Sequence, residues 1–202
     1  MMKKRSASAA HTFPENSQLI RSRRKTLALQ IAEDGHLIIR VPMKCPESEI
    51  ASFIDKHRSW IEKHSEKVRQ TYAMAQQLEP FSAQDIRSMA ERAAEIIPQR
   101  VRFYAEKLGV TYGKITIRAQ KTKWGSCTSK GNLSFNCLLM EAPPEVLDSI
   151  VVHELCHRIH MDHSKLFYSK VYSIFPDYDK CSSWLKSSGS ILIKRLTLGK
   201  GQ

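Results

Sequence analysis

Residues 153–163 read His-Glu-Leu-Cys-His-Arg-Ile-His-Met-Asp-His, so four of the chain's eight histidines fall in eleven residues. Histidines four apart on a helix share one face, about 6 Å apart along the axis, so His153 and His157 can both present imidazole nitrogens to a single ion. Glu154 follows the first of them and is placed to contact water on that ion rather than the ion itself. Residues 147–152 (Leu-Asp-Ser-Ile-Val-Val) are mostly apolar and run straight into His153. Polar groups entering such surroundings need partners, and a metal supplies one. Imidazole donors with one open tetrahedral position favour Zn2+ over Mg2+, which prefers oxygen. The chemistry expected is metal-assisted hydrolysis, with Glu154 as general base.

A catalytic zinc normally keeps three protein ligands and one water. No glutamate occurs after His157, so a downstream Glu ligand is excluded. The candidates left are His160, Asp162, His163, Asp177, Asp179 and Cys181. On a straight helix His160 lies about 10 Å from His153, and three imidazoles strung along one helix converge poorly. A turn after residue 160 brings His163 back beneath the ion, so His163 is favoured, with His160 as the alternative. The spacing from His157 to His163 equals that of metzincins. Those proteins, however, use Gly where this chain has His160, and no methionine follows Met161 to form a Met-turn. Asp162 either orients an imidazole or faces solvent.

The elements that must hold these residues can be outlined from periodicity. Residues 19–42 read as a hairpin: Leu27, Leu29 and Ile31 alternate, Glu33-Asp34-Gly35 turns the chain, and residues 36–41 return. Ile50, Phe53, Ile54, Trp60 and Ile61 have helical spacing. A further helix is predicted over 82–109, capped by Ser82, stopped by Gly109 and kinked or broken at Pro98. Residues 114–120 and 131–140 read as strands, joined by the loop over residues 121–130 (KTKWGSCTSK). A helix over 144–160 then carries the histidines, and an amphipathic helix ends at Pro176. The fold class expected is α+β: a small, mostly antiparallel sheet over the HExxH helix, a zincin-like core, beside an N-terminal β-hairpin and helix lobe. The predicted divisions are a disordered leader (1–18), the N-terminal lobe (19–80), the metallohydrolase core (81–190) and a C-terminal tail (191–202).

Composition bounds the setting. The chain has 202 residues, of which 42% are hydrophobic and 26% charged, ordinary for a globular protein. No run of about 18 apolar residues predicts a membrane span, and the basic start lacks the apolar segment of a secretory signal. Five scattered cysteines without a CxxC pair suit reduced thiols and a cytoplasmic setting. Cys127 stands near Lys121 and Lys123, which would lower its thiol pKa, but no partner histidine makes it a nucleophile. A net charge of +12 is read first as solvated surface, since no nucleic-acid-binding signature accompanies it.

With these residues in view, the chain resembles the YgjP-type metal-dependent hydrolases, which are related to SprT-like and WLM zinc-peptidase domains. The resemblance runs from about residue 19 to 188. It rests on RRKTLALQI, GHLIIRVP, WIEKH, KTKWGSC, GNLSFN, APPEVLDSIVVHELCH, MDHSKLFY and CSSWL. It implies a gluzincin-like metallohydrolase with His153, His157 and His163 on Zn2+, Glu154 as acid and base, and most simply a peptide or protein substrate. Trp124, Gly125, Ser126 and Asn136 become candidates for the border of the substrate cleft, where an extended peptide adds as a strand. For Trp124 and Asn136, packing and a strand-end hydrogen bond are the competing readings. Two other functions stay open. The basic charge, with residues 21–25 (RSRRK) and the Lys121–Ser126 loop, suits a nucleotide or other anionic substrate cut at a phosphoanhydride. Alternatively, zinc is structural in a nucleic-acid-associated protein, with His160 or Cys181 as fourth ligand.

Overall fold

The computed structural model describes residues 13–14 and 16–198. Most of the expected leader, and residues 199–202 of the expected tail, lie outside them. The chain forms two compact units, Met1–Ala73 and Met74–Gln202.

In the first unit, strands β1 (Ser17–Ser22), β2 (Ala28–Ile31) and β3 (Leu37–Pro42) form a sheet in the order β1-β3-β2. β2 and β3 are the expected antiparallel hairpin, but β1 adds to β3 in parallel. β3 buries Leu37, Ile39 and Val41 on one face, the period-two signature of a strand with one buried side. These residues pack with Ile50 and Ile54 of α1 (Glu47–Lys56) and Ile61 of α2 (Arg58–Gln76). The helical period over 50–61 is therefore split between two helices. His57 leaves the helical conformation between them, and its Nδ1 lies 2.8 Å from the Phe53 carbonyl. Trp60 faces away from this core at 40% exposure.

The second unit is built on α3 (Ala83–Leu108). Ser82 and Asp85 form a reciprocal capping box, and Gly109 ends the helix in the left-handed conformation at φ 66°, which glycine adopts without steric cost. The break expected at Pro98 does not occur, and the helix runs through it. Ala94, whose carbonyl loses its N–H partner to the proline ring, is exposed, so water can satisfy that oxygen. Met89, Ala93, Ile97, Val101, Tyr104 and Leu108 form the buried stripe of α3.

Strands β4 (Ile115–Arg118), β5 (Gly125–Cys127) and β6 (Leu133–Asn136) lie in the order β4-β6-β5. The expectation of a mostly antiparallel sheet needs correction, because β4 is parallel and β5 antiparallel to β6. β6 inserts between strands that precede it in sequence, so only its pairing with β5 is a local reversal. It also ends at Asn136, and Cys137–Glu141 close into a 3-10 turn.

Helices α4 (Pro144–Cys156), α5 (Lys165–Ile174), α6 (Tyr178–Lys186) and α7 (Ser188–Leu198) complete the unit. Pro144 opens α4 at a position where its missing N–H costs nothing. Val146, Leu147, Ile150, Val151, Val152, Leu155 and Cys156 then bury nearly all sides of the helix. Arg100 of α3 donates to both Asp148 oxygens, at 2.7 and 2.6 Å, and Tyr104 donates to the same carboxylate at 3.1 Å, which ties α4 to α3. Residues 191–198 lie in α7 and place Leu196 in the core at 1% exposure. Among the described residues no helix is long and apolar enough to cross a membrane.

Candidate metal centre

α4 ends at its own histidines. His153 occupies its last turn and His157 its C-cap. The chain then tightens: Arg158 N–H donates to the Leu155 carbonyl at 2.9 Å, and Ile159 N–H to that of Cys156 at 3.0 Å. Such i to i+3 bonds wind a helix end more tightly. His163 stands immediately before Ser164, whose hydroxyl accepts from Phe167 N–H and caps α5. One helix end and the next helix start thus bring the third imidazole back to the first two.

The donor atoms of His153, His157 and His163 lie within 4.8 Å of one another. The Nε2 atoms of His153 and His163 are 3.1 Å apart. Two nitrogens bound tetrahedrally at Zn–N of 2.0–2.1 Å stand about 3.3 Å apart, so this spacing fits a shared zinc. Lone pairs facing each other so closely repel unless a cation or proton lies between them. Burial pushes the His153 pKa down to about 4, with the neighbouring imidazoles adding to the effect, and burial also lowers that of His157. Neutral imidazole is the form a metal needs. Phe167 is fully buried beneath all three rings, its centroid 4.9, 4.6 and 5.0 Å from those of His153, His157 and His163. This apolar floor limits how the rings can turn.

Glu154 is 5% exposed and shares a cleft of about 310 Å³ with the three histidines. Burial pushes its carboxyl up to about 8, while the Lys123 ammonium pulls the other way; a dication at the imidazoles would act in the same direction as Lys123. Gly125 explains part of the Trp-Gly-Ser-Cys stretch. A Cβ there would stand 2.6 Å from Glu154 Oε1 and 2.8 Å from its Cγ, so the carboxylate lies against bare backbone. β5, the edge strand, contributes Gly125, Ser126 and Cys127 to the cleft wall, with Lys123 and Met161 beside them. The thiol of Cys127 is shifted upward, not downward as its lysine neighbours suggest. Burial dominates, and the Glu154 charge adds to it.

Trp124 and Asn136, candidates for the cleft border with packing and a strand-end hydrogen bond as the competing readings, do not line it. Trp124 packs on the core, so close to Gly189 that a Cβ on that glycine would stand 2.9 Å from its ring. Asn136 is fully buried, and its amide donates to the Gln120 and Lys123 carbonyls at 2.8 and 2.9 Å. It clips the ends of the loop that delivers Lys123 and Gly125. His160 and Cys181 lie outside the group of converging donors; the Cys181 thiol points at the Glu145 carbonyl, 3.5 Å away. The backbone of His160 does take part, because its carbonyl lies 3.1 Å from His157 Nδ1. Asp162 is exposed and accepts from Ser164 N–H at 3.3 Å. Tyr178, which the sequence did not single out, places its hydroxyl 2.8 Å from His153 Nδ1. It lies 25 residues away, and no local spacing signals the contact.

The family model described as YgjP-like, metallopeptidase domain, matches residues 25–88 and 83–188. Among solved structures, the metallopeptidase zymogen abylysin of Pyrococcus abyssi is similar, with a TM-score of 0.42 and 20% identity over 45% of this chain and 91% of that one. The zymogen jannalysin of Methanocaldococcus jannaschii is similar at a TM-score of 0.40 and 23% identity, over 44% of this chain and 92% of that one. No curated protein matches the chain.

Proposed function

Because the chain belongs to the YgjP-like metallopeptidase domain family, we propose that it cleaves peptide bonds with zinc held by His153, His157 and His163. Glu154 serves as general acid and base in this reading. The convergence of three imidazoles beside one buried carboxylate carries it. Three donors, without His160 or Cys181, suit a catalytic site better than a structural one, which usually recruits four. The finer fold assignment, a zincin-like core over about residues 81–190 and an N-terminal lobe over about 19–80, belongs to the same proposal.

When bound, zinc supplies Lewis acidity, lowering the pKa of water to about 7 and polarising a carbonyl. The protein's own groups do the rest. The β5 edge offers backbone N–H and C=O groups to an extended peptide, setting the scissile carbonyl over the cleft. Glu154 takes a proton from the attacking water as the oxygen bonds to the carbonyl carbon. It returns that proton to the amine nitrogen as the C–N bond breaks.

Lys123 favours a second reading. Its ammonium lines the cleft and acts on Glu154, which suits an anionic substrate such as a nucleoside triphosphate. Water would then attack phosphorus, Glu154 would take its proton, and a phosphoanhydride bond would break. One experiment separates the two. Zinc-loaded full-length protein is screened against peptide libraries and nucleoside triphosphates, with and without chelator, beside Glu154→Gln. Peptide cleavage that chelator abolishes, and that falls at least about 100-fold in the variant while zinc stays bound, is the expected result. Pyrophosphate release with that same dependence and no peptide cleavage overturns the peptidase reading. A fully active Glu154→Gln protein removes Glu154 from both.

A further inference from the structure

A neutral imidazole that gives Nε2 to a metal must carry its proton on Nδ1, so whatever faces Nδ1 must accept a hydrogen bond. For His157 that partner is the His160 carbonyl at 3.1 Å, which can only accept. For His153 it is the Tyr178 hydroxyl at 2.8 Å, which can accept or donate. The metal reading decides between the two, since His153 Nε2 points at His163 Nε2 across 3.1 Å and must offer its lone pair to an ion held there. Tyr178 opens α6 at 9% exposure, and its ring stacks on that of His153 at 5.8 Å and 14°.

We infer that Tyr178 is a positioning residue: its hydroxyl oxygen accepts the Nδ1 proton of His153 and holds that imidazole in the tautomer whose Nε2 faces the metal position. This rests on the metal reading above. It also accounts for the charge of the site. Among the described residues no carboxylate is hydrogen-bonded to the three imidazoles, and the partners of His153 and His157 are a phenol and a carbonyl. A carboxylate partner would raise ligand basicity and add negative charge. Neutral acceptors orient the rings and leave the dication's charge for Glu154 and the substrate.

The test compares wild type and Tyr178→Phe, which keeps the ring and removes the oxygen. Zinc affinity is measured by competition with a chromophoric chelator, and the His153 tautomer in metal-free protein by 15N NMR. The wild type should carry the proton on Nδ1. Tyr178→Phe should melt near the wild-type temperature without metal, bind zinc about 10- to 100-fold more weakly, and lose the single tautomer. Zinc affinity within twofold of wild type in Tyr178→Phe overturns the inference, and so does a wild-type proton on Nε2. A packing role alone would shift melting and leave the tautomer unchanged. If the variant does not fold, the wild-type tautomer decides. Wild-type protein that binds no zinc fails the metal reading itself, whereas tight wild-type binding with an indifferent variant fails only the role of Tyr178.

Discussion

Replacing Gly125 by alanine isolates the placement of Glu154 from the binding of metal. The new Cβ would lie 2.6 Å from Oε1, 2.8 Å from Cγ and 3.0 Å from Cδ of Glu154, where ordinary contact begins near 3.4 Å. The crowding therefore runs along the side chain and cannot be relieved by turning the carboxylate tip. Glu154 is 5% exposed, and the open space beside it is the cleft it shares with the three histidines, so a retreat moves the carboxylate within the site. The carboxylate must move by about 0.8 Å, or β5 must shift by a similar amount. A misplacement near 1 Å costs on the order of 100-fold in rate, and forcing a methyl into a packed site costs about 1–3 kcal/mol in stability. The methyl meets α4 only at the Glu154 side chain, whereas the imidazoles are held by the α4 backbone, the turn after it and Phe167, so zinc affinity should stay within a few-fold of wild type. The assay is kcat on the best-cleaved substrate from the screen, beside zinc competition on the same preparation. A Gly125→Ala protein with wild-type kcat and a crystal structure showing Glu154 unmoved would refute the argument that the glycine exists to admit the carboxylate. Loss of zinc together with activity would show that β5 holds the histidines as well.

Two further predictions concern the scaffold. Asp148→Ala leaves Arg100 and Tyr104 without their shared acceptor; with the Arg100 side chain 37% exposed, the expected loss is about 2 kcal/mol in urea unfolding, with zinc affinity unchanged. The Asp85 carboxyl is held below the usual carboxylate range, chiefly by the Ser82 hydroxyl and then by its backbone N–H. A depressed folded pKa contributes stability that is complete above the unfolded value near 4 and is lost as pH falls through the folded one. The melting temperature of wild type should therefore drop more steeply below about pH 4 than that of Asp85→Asn, and parallel curves would contradict it.

What the sequence could show depended on how local each cause is. The His153 and His157 pair is set by helix geometry within one turn. His163 could be favoured by elimination and by a turn that the spacing demands. Ser82 and Gly109 are local stop signals, and both stand where α3 begins and ends. The parallel pairings of β1 with β3 and β4 with β6 join strands whose partners are chosen by the core, which no alternation reveals. Trp124 and Asn136 were candidates for the cleft through the family resemblance, with packing and a strand-end hydrogen bond as the competing readings; only the tertiary contacts show the indole on Gly189 and the amide spent on two carbonyls. Gly125 was visible as a residue, but its reason lies in Glu154, 29 positions later in the sequence.

His160 shows how one position can serve without its side chain. In the metzincin pattern a glycine at this position turns the helix, yet among the described residues no non-glycine residue adopts positive φ. The turn is made here by tightened right-handed bonds, and His160 N–H donates to the Cys156 carbonyl at 3.0 Å. The His160 carbonyl lies just beyond the end of α4, and the imidazole of His157 turns to it across 3.1 Å. The interaction that helps close the turn therefore also fixes the His157 tautomer with Nε2 free. The end of α4 contributes further, because the negative end of its dipole lies beside His153 and His157 and favours a cation there. An imidazole at position 160 is not required by any of this, since only its backbone is used, and a glycine would trade that ordered turn for a more flexible one.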